Sequence, residues 1–395
     1  MNSLANAFDP RRNAIGFVRW LMAFMVIFSH AGPIAGFYGG ADLGTQWSKE
    51  QSLGGVAVCG FFFLSGFLIT RSKMGRSSTL RYFWHRFLRI YPGFFLILLM
   101  TAFVFAPLAW WQERGTWDGF WNAGSESPFT YFSNNFTLLL GQLNIAGMGT
   151  TTPLYTDHGI LDWNGSAWTL AFEFGAYILV ALLGVFGALA NRLVGGVVAG
   201  IIIALSTMQW MGIGDLTGLS SVFGDFRLLL LLAPFAWGMI FQLFQDKIPI
   251  DDRLAIACIL VAAATYVRGG WLVLGQYAFC YALIWFGIRA TKLVGWDRYA
   301  DLSYGIYISG WPIMWLATFF HIEEWGWFAY HAVVVIACHA YAFLSWHLVE
   351  KPAMALKRWT PTWMTKLGER TAGPRARLST AVSSRLVLSR PEVTR

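Results

Sequence analysis

Long apolar stretches separated by polar segments dominate the hydropathy pattern of this chain. Ten of them have about the 20 residues that an α-helix needs to cross a bilayer. They cover residues 14–35, 53–71, 88–110, 167–190, 194–212, 226–245, 252–268, 271–289, 303–321 and 328–350. The pattern predicts an all-α membrane protein, a polytopic bundle of about ten transmembrane helices.

Two ionisable residues, Arg19 and His30, interrupt the first apolar stretch. Eleven positions return to nearly the same face of a helix and correspond to roughly 16 Å along its axis. Ionisable side chains at membrane depth are costly, so they usually face a polar interior or a cavity. The pair therefore predicts a path through the protein, with a cation near one end and a proton-transfer group deep along it.

The composition supports a membrane protein and excludes other classes. Charged residues make up 13% of the chain, hydrophobic residues 56%, and the mean hydropathy is +0.51, whereas soluble domains are about 25% charged. Its 21 tryptophans are typical of interfacial belts. The four cysteines lie in apolar runs without metal-ligand spacing, so we predict no metal site and no disulfide framework.

The distribution of basic residues predicts the topology. With a cytoplasmic N-terminus, 24 of the 29 basic residues fall on the inner side, as the positive-inside rule requires. We therefore predict ten spans in the inner (cytoplasmic) membrane with both termini cytoplasmic. The net charge of +8 then reflects topology and not nucleic-acid binding. A re-entrant hairpin at 252–289 is the alternative for the weakest pair of spans.

The predicted topology divides the chain into three segments. Residues 1–13 form a cytoplasmic N-terminal tail, and residues 14–350 form the membrane domain with an external loop at 111–167. Residues 351–395 form a basic C-terminal tail that we predict to be disordered and drawn to anionic lipids; a regulatory partner is the alternative. The external loop, rich in Trp, Tyr, Asn, Ser and Gly, suits either a cover over a saccharide or a lid packed on lipid headgroups.

Two further groups of residues are candidates for ligand binding or catalysis. Arg86 and Arg89 are three positions apart on one helix face, with Arg81 nearby. Paired guanidinium groups suit phosphate oxygens, although positive-inside anchoring explains most clusters of this kind. Glu173 lies at a depth in the bilayer similar to that of His30. We interpret His30 as a general base and Glu173 as a carboxylate that orients it or binds an acceptor; a structural polar pair is the alternative.

Six motifs in order resemble those of the integral-membrane acyltransferase family 3, which includes O-antigen and exopolysaccharide O-acetylases. The similarity spans roughly Ala14 to Lys357. The motifs are Arg19 with His30, Phe61–Thr70 (Phe-Phe-Phe-Leu-Ser-Gly-Phe-Leu-Ile-Thr), Arg86-Phe-Leu-Arg89, Asn164–Glu173 (Asn-Gly-Ser-Ala-Trp-Thr-Leu-Ala-Phe-Glu), Leu302–Tyr307 (Leu-Ser-Tyr-Gly-Ile-Tyr) and Ser345–Pro352 (Ser-Trp-His-Leu-Val-Glu-Lys-Pro).

Two departures from the family pattern weaken inference about the acceptor. Many members carry an acidic residue six positions before the serine of Ser-Gly-Phe, where this chain has Cys59. Many also have a histidine just before the Trp-Pro of the ninth helix, where this chain has Gly310.

The resemblance implies transfer of an acyl group, most often acetyl, from cytoplasmic acyl-CoA to a hydroxyl of a glycan or glycolipid. Acyl-CoA is then a co-substrate and no cofactor is permanently bound. The site residues that the resemblance implies are, for catalysis, His30 and Glu173; for the donor, Arg19, Arg86, Arg89, Ser65 and Gly66; and for the acceptor, Trp168 and Tyr304.

Several alternatives remain open at this point. The acyl group passes either directly to the acceptor or through an acyl-histidine intermediate. Ser65 is interpreted as a packing residue or part of the donor channel, and less readily as a nucleophile. The competing function is a proton-coupled transporter or lipid flippase in which His30 and Glu173 form a relay. Acceptor identity, acyl length and oligomeric state are not encoded in any motif.

Overall fold

The computed structural model describes residues 2–75, 78–213 and 227–359, and within them the protein is a bundle of ten long helices. We number these α1 to α10. They are α1 Ile15–Ala35, α2 Leu53–Met74, α3 Thr79–Met100, α4 Trp168–Val185, α5 Arg192–Trp210, α6 Arg227–Leu243, α7 Asp252–Arg268, α8 Gln276–Arg289, α9 Ser303–Phe319 and α10 Trp327–Ser345.

Shorter elements extend or connect these helices. Short α-helices are Leu4–Ala7, Ala106–Arg114, Pro128–Asn135, Pro153–His158 and Lys351–Ala355. Turns of 3₁₀-helix are Phe37–Gly40, Gly124–Glu126, Gly165–Ala167, Thr291–Leu293, Ile322–Trp325 and Leu356–Arg358. Turns of π-helix are Thr101–Phe105, Trp271–Gly275 and Trp346–Glu350. Strand β1 (Asn2–Ser3) pairs antiparallel with β2 (Pro249–Ile250), with Asn2 opposite Ile250.

The helical, multi-pass membrane architecture predicted from hydropathy is confirmed. Each of the ten apolar stretches forms a long helix, and seven helical segments among the described residues are long and apolar enough to cross a membrane. The count of ten crossings and the cytoplasmic position of both termini remain predictions. The C-terminal tail is helical at its start, at Lys351–Ala355, and residues 360–395 lie outside the described part of the chain.

The loop at 111–167, predicted to be external, folds onto the bundle. Phe120, Tyr131 and Trp163 of this loop are almost completely buried. The Trp163 ring lies 4.6 Å from that of Trp315 and 5.7 Å from that of Phe319, both on α9. Buried aromatic pairs of this kind contribute more than their area alone, so the loop is a packed cap fixed to α9.

Helices α2 and α6 cross at a backbone distance that only glycine permits. A Cβ atom on Gly66 would lie 2.0 Å from the carbonyl oxygen of Phe235, and one on Gly238 would lie 2.1 Å from that of Phe63. Small residues allow such close approach between membrane helices. The structure thus places Gly66, which the resemblance assigns to donor binding, at a helix crossing and not among the residues that line a cavity.

We expect Gly66→Ala to destabilise the protein because its methyl group meets backbone atoms that cannot move aside. Overpacking of this kind destabilises by about 1–3 kcal/mol. Thermal unfolding of the detergent-solubilised protein should show the lower midpoint. Gly200→Ala on α5 is the matched control, since a Cβ there meets nothing within 4 Å. Equal midpoints for the two variants would contradict the tight crossing.

Candidate active site

His30 lies near the end of α1 and forms an ion-pair-like contact with Asp42. The distance from its Nδ1 to Asp42 Oδ1 is 2.7 Å, and Ser29 Oγ donates to the same carboxylate oxygen at 3.0 Å. The ring also makes an edge-on contact with Trp311, at 5.1 Å between centroids. When the neutral imidazole donates from Nδ1 to Asp42, its Nε2 is the proton acceptor. This arrangement suits a general base.

Two glycines bring Asp42 back to α1. Gly36 ends the helix in the left-handed conformation, with φ of 74°, which side chains other than glycine rarely adopt. A Cβ on Gly32 would lie 1.8 Å from the carbonyl oxygen of Ala41. The returning chain can therefore approach α1 closely enough for Asp42 to reach His30. We did not predict Asp42 from the sequence. The only indication was its position, as an acidic residue shortly after the glycine-containing end of α1.

One cavity, which we call the outer cavity after the predicted topology, contains His30. It encloses about 1000 Å³ of empty space, including some open to solvent, and Trp168, Gln51, Gln276 and Arg227 also line it. The Arg227 guanidinium lies over the Trp168 ring, 4.6 Å from its centroid. Of the residues predicted to bind the acceptor, Trp168 therefore lines the same cavity as His30.

The Trp311 ring, which contacts His30, is held by the loop that precedes α4. Trp311 Nε1 donates to the Asp162 carbonyl oxygen at 2.7 Å. A Cβ on Gly165 would lie 2.5 Å from the Trp311 ring, so glycine is required there. Burial raises the pKa of the Asp162 carboxyl to about 6, and a hydrogen bond from the Asn164 backbone opposes the shift. The Asp162 carboxyl is therefore easier to protonate in mild acid than an exposed one.

An inner cavity contains the three arginines predicted to bind the donor. It encloses about 920 Å³ of empty space, including some open to solvent, and is lined by Arg19, Arg86, Arg89, Ser65, Glu173 and Tyr304, among others. The structure thus brings together residues from α1, α2, α3, α4 and α9. Tyr304, predicted on the acceptor side, lies here instead, and its hydroxyl donates to the Ile90 carbonyl oxygen at 2.7 Å.

One carboxylate orders two of the arginines. Asp301 Oδ2 lies 3.0 Å from Arg19 Nη2 and 2.7 Å from Arg89 Nη2. Arg19 also reaches Asp297 at 3.3 Å, and a Cβ on Gly16 would clash with that carboxylate. This bridge could not be predicted from local sequence, because Asp301 is 282 positions from Arg19.

Arg86 differs from its two neighbours. Within the described part of the chain it has no ion pair, and its buried Nε has no hydrogen-bond partner. Its guanidinium lies 5.9 Å from the ring centroid of Tyr82 and 5.8 Å from that of Tyr177, near enough for cation–π contacts. Arg86 therefore has its charge and its donors ready for an anionic ligand.

Glu173 faces the inner cavity and does not contact His30. Its Oε1 accepts hydrogen bonds from Ser65 Oγ, at 3.3 Å, and from the Tyr177 hydroxyl. Glu173 and His30 have similar predicted depths in the membrane, but depth does not determine on which side of a bundle a residue lies. Asp42 makes the contact with the His30 ring that we expected from Glu173. Ser65 is hydrogen-bonded to the Glu173 carboxylate, a pairing that we did not predict from the sequence.

Comparisons with known proteins support an acyltransferase. The profile of an acyltransferase domain, acyltransferase 3, matches residues 12–369. An O-acetyl transferase of Shigella phage Sf6 is 26% identical over 362 residues, which cover 86% of this chain and 96% of that protein. Nodulation protein 10 of Rhizobium leguminosarum bv. viciae is 24% identical over 370 residues, covering 88% and 94%.

A third relative, also an acyltransferase, is similar to a shorter part of the chain. Acyltransferase MdmB of Streptomyces mycarofaciens is 31% identical over 104 residues, 26% of this chain and 27% of that protein. No solved structure matches the chain significantly.

Proposed function

We propose that this chain, which belongs to the acyltransferase 3 family, transfers an acetyl group from cytoplasmic acetyl-CoA to a hydroxyl group of an exported glycan or glycolipid. The observation that carries the proposal is the pair of neighbouring cavities, one lined by three arginines and the other by a histidine paired with Asp42. The cavity with the arginines suits an anionic acyl donor. The cavity with the histidine suits an acceptor whose hydroxyl group is deprotonated by a base. The family match gives no support to a transporter or flippase.

The inner cavity is the proposed donor site. Asp301 pairs with Arg19 and Arg89, and Asp297 also reaches Arg19. Arg86 has no ion pair among the described residues, so its guanidinium group is available for phosphate oxygens. Asp301 orders Arg19 and Arg89, and Arg86 makes the direct phosphate contact. Further along the cavity, Glu173 with the hydroxyls of Ser65 and Tyr177 matches the amide groups of a pantetheine arm.

The outer cavity is the proposed acceptor site. Its aromatic and amide side chains, Trp168 and Gln51, suit stacking and hydrogen bonding to a sugar. The name of the phage Sf6 relative, an O-acetyl transferase, supports acetyl as the group and oxygen as its destination. The acceptor would enter from the external side of the inner membrane, where the predicted topology places His30.

The chemistry follows from the His30–Asp42 pair. Nε2 of His30 takes the proton of the acceptor hydroxyl while that oxygen attacks the thioester carbonyl. The carbon–sulfur bond then breaks, and the CoA thiolate leaves and takes up a proton. Asp42 holds the ring in the required tautomer and stabilises the imidazolium that forms, as a carboxylate does in other histidine-based sites. A positioned base contributes about 10²–10⁴-fold to such a step.

Replacing Arg86 by alanine is the test of the donor site. Losing hydrogen bonds to a charged group weakens an interaction by about 1.5–3 kcal/mol, so we expect the KM for acetyl-CoA to rise by about tenfold or more, with a smaller change in kcat. Steady-state transfer kinetics of the purified protein measure both.

A donor without phosphates sharpens this test. With the thioester S-acetyl-N-acetylcysteamine, Arg86→Ala and the unchanged protein should transfer acetyl at equal rates. Arg192→Ala is the matched control, because Arg192 pairs with Asp246 on an exposed surface and lines neither cavity. If Arg86→Ala left the KM for acetyl-CoA unaltered, phosphate recognition at Arg86 would be wrong.

A further inference from the structure

The two cavities are separated by a thin partition. Val58, Thr169 and Tyr307 line both of them. These residues come from α2, α4 and α9, so three helices meet at this point. The proposed donor and acceptor therefore lie on opposite sides of only a few side chains.

A short chain of hydrogen bonds closes the partition. The Tyr307 hydroxyl donates to the Ser166 carbonyl oxygen at 3.0 Å, and it lies 2.6 Å from Thr169 Oγ1, from which it can accept. Its ring packs edge-on against Phe61, 5.6 Å between centroids. Tyr307 is thereby held across the opening by two polar contacts and one aromatic contact.

Breaking these hydrogen bonds requires little free energy. A neutral hydrogen bond in a protein is worth only about 0.5–1.5 kcal/mol net. The arrangement is therefore suited to a closed state that opens transiently. The thioester must pass this point to meet His30, because the arginines that hold its phosphates lie on one side and His30 lies on the other.

We infer that Tyr307 and Thr169 determine the specificity of the reaction for the acceptor over water. This inference rests on the proposed function. The nucleophile that reaches the thioester carbonyl decides the product. When it is water, its oxygen bonds to the carbonyl carbon, the carbon–sulfur bond breaks and the products are acetic acid and CoA thiol. The closed partition keeps water of the outer cavity away from the thioester until an acceptor fills that cavity.

The experiment measures release of CoA thiol from acetyl-CoA by the purified full-length protein without acceptor. Tyr307→Phe keeps the ring and its contact with Phe61 but removes the hydroxyl that bonds Ser166 and Thr169. We expect hydrolysis to rise about two- to tenfold, as the loss of one or two net hydrogen bonds implies, with the Kd for acetyl-CoA unchanged. Thr169→Val should raise hydrolysis similarly, and the double variant should exceed neither single variant by much, since both variants remove the Tyr307–Thr169 hydrogen bond.

Tyr330→Phe is the matched control. It also removes a buried tyrosine hydroxyl that donates to a backbone carbonyl, that of Met314 at 3.1 Å, but Tyr330 lines neither cavity. Its hydrolysis rate should equal that of the unchanged protein.

The possible outcomes separate the two proposals. If the unchanged protein transfers acetyl but Tyr307→Phe hydrolyses acetyl-CoA no faster, the role of the partition is overturned while the proposed function stands. Complete loss of both transfer and hydrolysis in Tyr307→Phe, with acetyl-CoA still bound, would also overturn it, because the hydroxyl would then act in the chemistry. If the unchanged protein neither binds nor consumes acetyl-CoA, the proposed function itself fails.

Discussion

His30→Ala is expected to abolish acetyl transfer while leaving acetyl-CoA binding intact. The imidazole is the proposed base, held by Asp42 at 2.7 Å, and removal of a positioned base lowers the rate by about 10²–10⁴-fold. Binding should survive because the arginines line the other cavity. Isothermal titration with acetyl-CoA and a transfer assay on the same preparation measure the two effects separately.

The controls for His30→Ala exclude a general loss of structure. His347→Ala removes a half-buried histidine of the π-helical turn Trp346–Glu350, which follows α10. Its one hydrogen bond among the described residues is to the Phe343 carbonyl oxygen and it lines neither cavity, so this variant should keep full activity. Added imidazole should restore part of the transfer rate in His30→Ala, since it can enter the vacated space. Retained transfer in His30→Ala would overturn the catalytic role of His30.

Hydropathy was sufficient to predict the helices because a bilayer imposes their length and composition. The same constraint made Arg19 and His30 visible, since a charge or an imidazole within such a helix requires a polar environment. Their shared helix face proved less informative. In the folded chain Arg19 lines the inner cavity and His30 the outer one, so one helix serves both sites at different depths.

The partners of these residues could not be predicted from local sequence. Asp301 reaches Arg19 only because α9 packs against α1, and no spacing rule links positions so far apart. Glu173 illustrates the opposite error, because its depth matched that of His30 but α4 turns its carboxylate toward Ser65 of α2. The packing of helices side by side determines which residues come into contact, and this packing cannot be predicted from hydropathy.

The second large effect is expected from Asp42→Asn. An amide can retain a hydrogen bond to the ring but favours the wrong tautomer and cannot stabilise the imidazolium, and in comparable sites this lowers kcat by up to about 10⁴-fold. We expect kcat to fall by about 10²-fold or more with an unchanged KM for acetyl-CoA. Steady-state kinetics measure the split, and Asp118→Asn in the exposed part of the external loop is the matched control.

A double variant decides whether Asp42 acts through His30 or merely supports the loop. Residues that act as one unit are strongly non-additive, so His30→Ala combined with Asp42→Asn should be no slower than His30→Ala alone. A structural role would lower the activity of the double variant further, by the same factor that Asp42→Asn lowers that of the unchanged protein. The same comparison tests the local fold, because Asp42 reaches the ring only through the close approach that Gly32 and Gly36 permit.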